Sequence, residues 1–147
     1  FSMVDDVTHA GSNVTKRMHP PRILLYSDDA TTRERVRLAV GSRLERGGPK
    51  IEWLETATHD AVVAAADAGG IDLLILDGEA APSGGMGLCR QLKNEIYRCP
   101  PALVLTGRPQ DAWLASWSLA DAIVAHPLDP VEVQRVVLEL LAGPVAA

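Results

Sequence analysis

Aromatic residues are scarce in this chain of 147 residues, since Phe, Trp and Tyr together make up only 4% of it. A hydrophobic core must therefore be built from Ala, Val, Leu and Ile. Only two cysteines occur, Cys89 and Cys99, and their spacing matches no metal motif, which favours a reduced, cytoplasmic protein over a disulfide scaffold. No apolar run approaches the roughly 20 residues of a membrane span, and the N-terminal segment lacks the apolar stretch of a signal peptide.

Positive charge is also in short supply. The 14 Lys and Arg residues against 19 Asp and Glu give a formal net charge of -5, which disfavours binding to nucleic acid. The length suits a single domain with a proper core. We expect a flexible tail over residues 1–20, one domain over residues 21–143 and a short tail over residues 144–147.

Short apolar runs alternate with helical patterns along the domain, which is typical of a parallel sheet covered by helices on both faces. The run at residues 71–77 is the most apolar, and we place it in the middle of the sheet. The other predicted strands are residues 23–26, 51–55 (at a sheet edge), 102–107 and 122–125. The predicted helices are residues 32–46, a segment capped by Thr58 that ends at Gly69, residues 85–97, a short helix opened by Asp111, and residues 131–141 after an Asp129 cap.

The first predicted helix has two notable features. Thr31 and Glu34 stand at the spacing of a capping box before it. Arg33, Arg37 and Arg43 lie off its apolar stripe, so we expect them on a solvated face.

Polar side chains follow four of the predicted strands. These are Asp28 and Asp29, Asp77, Thr106 and His126. The carboxyl ends of parallel strands share one edge of a sheet, so three carboxylates are expected to converge there. Such carboxylates repel one another, and a bound Mg²⁺ would remove the conflict and offset charge on a phosphoryl group attached to Asp77. The alternative is that Asp77 and Gly78 form only a turn.

Several segments together resemble the receiver domains of bacterial two-component response regulators. They are Tyr-Ser-Asp-Asp at 26–29, Leu-Ile-Leu-Asp at 74–77, Gly-Met-Gly-Leu-Cys-Arg at 85–90, Leu-Val-Leu-Thr-Gly at 103–107 and Val-Ala-His-Pro-Leu-Asp-Pro at 124–130. The resemblance spans residues of about 22 to 142. It implies the flavodoxin-like (βα)5 fold, a three-layer α/β sandwich whose parallel five-stranded sheet has the order 2-1-3-4-5.

The resemblance also implies roles for individual residues. Asp77 matches the phosphoacceptor, and Asp28 and Asp29 match the acidic pair that holds Mg²⁺. The backbone carbonyl of Glu79 matches a further metal ligand. Thr106 matches the hydroxyl that moves to the phosphoryl group on activation.

Two departures from the family pattern lie at the fifth strand. His126 stands where the family has lysine, and Ile123 stands where it has an aromatic switch residue. Histidine is shorter than lysine and largely neutral near pH 7, so both changes weaken binding or relay of a phosphoryl group. His126 is either a structural residue or a phosphoryl contact, and the family favours a cis bond between His126 and Pro127.

Two tryptophans, Trp113 and Trp117, stand one turn apart on the short fourth helix, and we expect at least one to be an exposed anchor for a partner. The alternative is that both pack under the sheet. The family uses the face of the fourth helix, fifth strand and fifth helix for homodimers and output partners. Because no second domain follows residue 142, we expect action through a downstream protein.

Two functions remain open. The first is a single-domain, atypical response regulator in phosphorelay signalling, phosphorylated at Asp77 by a sensor histidine kinase or another donor. The second is an adaptor that binds a partner without phosphorylation. A metal-dependent phosphotransfer enzyme is a weaker third interpretation, because the loops are too short for a substrate pocket, and we do not expect an enzyme.

Overall fold

The structure, a computed structural model, describes residues 19–108, 111 and 113–143. Residues 1–18 and 144–147, which contain most of the predicted tails, lie outside the described part. The strands are β1 Arg22–Tyr26, β2 Glu52–Thr56, β3 Leu73–Asp77, β4 Ala102–Thr106 and β5 Ala122–Ala125. The helices are α1 Ala30–Val40, α2 His59–Ala68, α3 Gly85–Glu95, α4 Leu114–Ser118 and α5 Pro130–Ala142.

The five strands form one sheet in the order β2-β1-β3-β4-β5, and every neighbouring pair is parallel. This confirms the predicted fold and the edge position of the second strand. All five residues of β3 are buried, as expected for the central strand of a sheet covered on both faces. Asp77, the last residue of β3, pairs in register with Leu105 of β4.

Side chains alternate between two cores, one on each face of the sheet. The first core lies against α1 and α5 and includes Ile23, Leu25, Ile75, Val36 and Val137. The second core lies against α2 and α3 and includes Leu24, Leu74, Val104, Val62 and Leu88. A slip of β3 by one residue would draw Asp77 into the apolar interior, so packing of the cores fixes that carboxylate at the tip of the strand.

Helix α1 differs from its predicted extent at both ends. It begins at Ala30 and ends at Val40, whereas the pattern predicted residues 32–46. Asp29, and not the predicted box of Thr31 and Glu34, caps the first turn, because its side chain accepts a hydrogen bond from the backbone N–H of Thr31. Gly41, with a φ of 94°, ends the helix in a backbone conformation that suits glycine.

The prediction of a solvated arginine face on α1 is wrong for Arg33, whose side chain is only 18% exposed, whereas that of Arg37 is 39% exposed. The Nε atom of Arg33 lies 2.9 Å from one carboxylate oxygen of Glu55, and that of Arg37 lies 3.0 Å from the other. Arg33 also donates a 2.7 Å hydrogen bond to the carbonyl of Ser27. The two arginines therefore tie α1 to the edge strand β2, and Arg33 supports the loop after β1.

The predicted caps of two other helices are present. Thr58 accepts a hydrogen bond from the N–H of Ala61 at the start of α2, and Asp129 accepts one from Val131 at the start of α5. Pro130 occupies the first turn of α5, where its missing N–H costs nothing. Within the described ranges, no helix combines the length and apolarity needed to cross a bilayer.

Candidate functional site at the carboxyl ends of the strands

The carboxyl ends of β1, β3, β4 and β5 bring the predicted polar residues to one edge of the sheet. Asp77 ends β3 and Thr106 ends β4, while Asp28 follows β1 and His126 follows β5. Asp77 is only 4% exposed, and Thr106 is fully buried. The expectation that these strand ends meet is therefore confirmed, and a buried carboxylate stands at the centre of the group.

Both carboxylate oxygens of Asp77 accept hydrogen bonds. Oδ1 accepts from the backbone N–H of Glu79 at 2.8 Å, and Oδ2 accepts from the hydroxyl of Ser27 at 2.8 Å. Bonds of this kind, to an ionised acceptor, are worth about 1.5–3 kcal/mol each. They hold the side chain of Asp77 in one orientation at the rim of the sheet.

Ser27 is a site residue that the sequence analysis did not single out. It is fully buried, and its hydroxyl donates to Asp77 while accepting a 3.1 Å hydrogen bond from the backbone N–H of Asp29. The signal available in the sequence was its position, since Ser27 is a small polar residue directly after a buried apolar strand. Ser27 links the loop after β1 to the carboxylate of Asp77.

Asp28 and Asp29, predicted as a pair, point in different directions. Asp28 is exposed, and its Oδ1 accepts a 3.2 Å hydrogen bond from the N–H of Ala81 in the loop after β3. Asp29 turns to α1, where its two oxygens accept from Thr31 N–H at 2.9 Å and the Thr32 hydroxyl at 3.2 Å. The hydrogen bond from Thr31 chiefly holds the pKa of Asp29 below its usual value.

Among residues 19–108, 111 and 113–143, no three His, Cys, Asp or Glu side chains are grouped so that they could hold a metal ion. Helix α1 begins earlier than predicted, and Asp29 caps it, while the carboxylate of Asp28 is exposed beside the loop after β3. The metal-ligand roles that the resemblance implies for Asp28, Asp29 and Asp77 stay predictions.

Two glycines allow the backbone around Asp77 to pack closely. A Cβ atom at Gly85, the first residue of α3, would lie 2.7 Å from the carbonyl oxygen of Asp77. A Cβ atom at Gly78 would lie 2.6 Å from the carbonyl oxygen of Leu105. Any larger residue at either position would push the loop after β3 away from the strand ends.

Glu79 contributes a carboxylate as well as a backbone carbonyl. Its Oε2 accepts a 3.2 Å hydrogen bond from the N–H of Gly107, the first residue after β4. The side chain packs so closely that a Cβ atom at Gly107 would lie 2.9 Å from its carboxyl carbon. A backbone donor at the end of β4 is thus already taken by an acidic side chain.

The residues predicted to contact or relay a phosphoryl group are not joined to Asp77 by hydrogen bonds. The Thr106 hydroxyl donates to the carbonyl of Arg108 at 3.1 Å. The half-buried imidazole of His126 forms no hydrogen bond within the described part of the chain. The peptide bond from His126 to Pro127 is cis, and Ile123 packs against the second core.

A cavity of about 760 Å³ opens beside Asp77 between α1 and the loop that leads into α5. Asp77, Glu79 and Gly107 line its floor together with His126. Its remaining walls come from Thr32, Arg35, Leu38, Ala39, Pro127, Leu128 and Pro130. The cavity is large enough to admit a phosphoryl group and part of the molecule that delivers it.

Both predicted partner residues are on the surface. Trp113 is 72% exposed and Trp117 is 48% exposed, so the alternative in which both pack under the sheet is wrong. The guanidinium of Arg90, from α3, lies 5.3 Å from the centre of the Trp117 ring and donates to the Trp117 carbonyl at 2.5 Å. Trp117 is therefore held on one side, while Trp113 projects into solvent.

A parallel five-stranded sheet of this order, with a buried carboxylate at the end of the central strand, is the architecture of a receiver domain. Curated relatives agree with that assignment. Two response regulatory proteins of Mycobacterium tuberculosis, from strains CDC 1551 / Oshkosh and H37Rv, are each 58% identical to the chain over 123 residues. The match covers 84% of this chain and 92% of each relative. The chain belongs to the response regulators of two-component signalling, and its fold is that of their receiver domain.

Solved structures support the same fold. The signal receiver domain of a signal transduction histidine kinase from Syntrophus aciditrophicus is 25% identical, with a TM-score of 0.69 over 86% of this chain and 94% of that one. The chemotaxis response regulator CheY4 of Vibrio cholerae is 18% identical, with a TM-score of 0.67 over 83% of this chain and 99% of that one. No protein-family model matches the chain.

Proposed function

We propose that this receiver domain is a Mg²⁺-dependent phosphoacceptor whose nucleophile is Asp77, and that it acts through contacts with other proteins. The observation that carries the proposal is the setting of Asp77, which is a buried carboxylate on a rigid strand end that borders an open cavity. In the transfer, a carboxylate oxygen of Asp77 forms the new O–P bond while the N–P bond of a phosphohistidine donor breaks. The imidazole of the donor leaves with the electron pair of that bond and takes up a proton.

The donor atoms around Asp77 suit a hard cation. Asp28 has an exposed carboxylate beside the loop after β3, and the carbonyl of Glu79 accepts no hydrogen bond within the described residues. With Asp77 they form an all-oxygen set of two carboxylates and one carbonyl. Mg²⁺ accepts such a set because it keeps several water ligands. Bound there, the ion would neutralise charge on the carboxylates and on an incoming phosphoryl group. Asp29 is left out of this proposed set because it caps α1.

Two groups remain available to a phosphoryl group at the ends of β4 and β5. The Thr106 hydroxyl would exchange its acceptor, the Arg108 carbonyl, for a phosphoryl oxygen. The imidazole of His126 forms no hydrogen bond within the described residues, although the backbone N–H of His126 donates to the Thr106 carbonyl at 2.8 Å. Arg108 lies after β4 in the direction of α4, so this exchange would connect the chemistry to the surface that carries Trp113.

Trp113, with α4, β5 and α5, is the proposed surface for a downstream protein or a second copy of the chain. Trp113 is mostly exposed and its indole offers a large apolar area at little entropic cost. The sensor kinase or other donor would approach at the cavity beside Asp77.

A second candidate function is an adaptor that needs no phosphorylation. It is favoured by the absence of lysine at His126 and of an aromatic ring at Ile123, together with the exposed Trp113. In this case the receiver fold serves to present the tryptophan surface.

An amide NMR titration separates the two functions. The protein is titrated with Mg²⁺ and then, at saturating Mg²⁺, with beryllofluoride, which mimics an acyl phosphate. A phosphoacceptor shows further shifts on the second addition, near Asp77 and Thr106, that extend to Trp113 and Trp117. The Asp77→Asn variant is the control and shows none. Shifts with Mg²⁺ and no change with beryllofluoride would contradict the phosphoacceptor and favour the adaptor.

A further inference from the structure

The cavity beside Asp77 has an imbalance of charge that the proposed function must resolve. Asp77 and Glu79 line it with carboxylates, and the basic side chains that line it among the described residues are Arg35 and His126. A phosphoryl group on Asp77 would add more negative charge. A permanent positive charge near the phosphoryl oxygens would offset that charge.

Arg35 is placed to supply that charge. It lies on α1 and lines the same cavity as Asp77, Glu79 and His126. Thr32, Leu38 and Ala39, which lie three or four positions from Arg35 along the helix, line the cavity too, so this face of α1 forms one wall. Arg35 therefore lies on the face of α1 that borders the cavity.

The neighbouring arginines are paired with carboxylates, whereas Arg35 has no such partner among the described residues. Arg33 and Arg37 are paired with Glu55, and Arg108 is paired with Asp111 at 3.0 Å. Arg35 is exposed and forms no hydrogen bond or ion pair within the described part of the chain.

We propose that Arg35 binds the oxygens of a phosphoryl group on Asp77, and so provides from α1 the cation that the family's lysine provides from the end of the fifth strand. The inference rests on the proposed phosphoacceptor function. A guanidinium suits the task because it is permanently charged and presents parallel N–H donors that match two phosphate oxygens. Arg35 borders the cavity from α1, so a phosphoryl group on Asp77 would share that cavity with its guanidinium.

The test measures two affinities separately, for Mg²⁺ alone and for beryllofluoride at saturating Mg²⁺, by the same NMR titration at one fixed ionic strength. The variants are Arg35→Gln, Arg35→Lys and, as a matched control, Arg46→Gln. Arg46 is also exposed and does not line the cavity, so its substitution removes the same charge elsewhere.

We expect Arg35→Gln to weaken beryllofluoride binding by about tenfold, as the loss of one charge-assisted hydrogen bond would. Arg35→Lys keeps the charge but loses the paired N–H donors, so its beryllofluoride affinity should lie between those of the wild type and of Arg35→Gln. Mg²⁺ binding to Arg35→Gln should be unchanged or tighter, because a positive charge near the ion has been removed. A merely structural role for Arg35 would instead weaken both affinities.

The outcomes distinguish the two proposals. Failure of the wild type to bind beryllofluoride overturns the phosphoacceptor function and this inference with it. If the wild type binds and Arg35→Gln binds equally well, the function stands and the role of Arg35 is overturned. Equal losses in Arg35→Gln and Arg46→Gln would also overturn it, because the effect would then be one of net charge alone.

Discussion

The two sides of Asp77 are built differently. On the side of β1, fixed groups hold the site, because Ser27 and the Glu79 N–H fasten the carboxylate of Asp77 and the oxygens of Asp28 lie nearby. On the side of β4 and β5, the hydroxyl of Thr106 donates to the Arg108 carbonyl, and the imidazole of His126 forms no hydrogen bond within the described residues. The proposed Mg²⁺ ligands lie on the first side, the cation side, where hydrogen bonds fix Asp77 in one orientation. The proposed phosphoryl contacts lie on the second side, the anion side, where Thr106 would have to exchange its hydrogen-bond acceptor.

The largest expected effect comes from a substitution that displaces Asp77 and so disturbs both sides of the site. Gly85→Ala places a Cβ atom 2.7 Å from the carbonyl oxygen of Asp77, so the backbone must shift to relieve the clash. We expect the free energy of unfolding to fall by about 1–3 kcal/mol. Both Mg²⁺ and beryllofluoride binding should weaken. Chemical denaturation and the NMR titrations measure these effects.

Gly87→Ala is the matched control for this change. Gly87 lies in the same helix, and a Cβ atom there meets nothing within 4 Å. Removal of a glycine from a helix interior should raise stability by up to about 1 kcal/mol. Equal destabilisation by both substitutions would mean that the close packing of Gly85 against the Asp77 carbonyl does not contribute to stability.

The next effect concerns the cation side and distinguishes the contribution of Asp28 to Mg²⁺ binding from that of Asp29. Asp28→Asn removes a proposed ligand and should weaken Mg²⁺ binding by at least about tenfold. Asp29→Asn should change it by less than about threefold, because asparagine caps a helix as well as aspartate does. Comparable losses in the two variants would show that Asp29 leaves the helix cap to bind the ion.

A smaller effect concerns the anion side. His126→Lys restores the permanent charge that the receiver family has at this position, and we expect beryllofluoride to bind about fivefold more tightly. Mg²⁺ binding should stay the same or weaken slightly. A variant that binds beryllofluoride no better than the wild type would indicate that His126 has only a structural role.

The smallest effect concerns Glu79. Its carboxylate occupies the N–H of Gly107 and adds negative charge to the cavity. Glu79→Gln keeps the shape and lowers the repulsion, so beryllofluoride should bind about threefold more tightly. The backbone carbonyl of Glu79 remains, which predicts unchanged Mg²⁺ binding. Weaker beryllofluoride binding would mean that the carboxylate supports the loop more than it repels the anion.

Most of the fold was predictable because the five strands are short, apolar and bounded by turn residues. The bounds of α1 were not, since the apolar stripe of Val36 and Val40 continues to Leu44, which packs on the first core although the helix has ended at Gly41. Periodicity alone does not distinguish a helical residue from a loop residue that packs against the same core.

The same limit explains what was missed at the site. Asp77, Thr106 and His126 were predicted because each marks the end of an apolar run. The setting of Asp29 depends on which residue begins α1, and a predicted start at Thr32 did not reveal that Asp29 caps the helix. Ser27 was missed because its role depends on the orientation of one hydroxyl in the folded loop.

The contact between Arg90 and Trp117 makes the fluorescence of Trp117 sensitive to the position of α4. The emission of an indole depends on the charge beside its ring, and here that charge is carried by α3 while the ring is carried by α4. Helix α4 has only five residues, too few to hold itself in place without neighbours. A displacement of α4 would therefore change the fluorescence of Trp117, so the protein contains a built-in reporter of that movement which needs no added label.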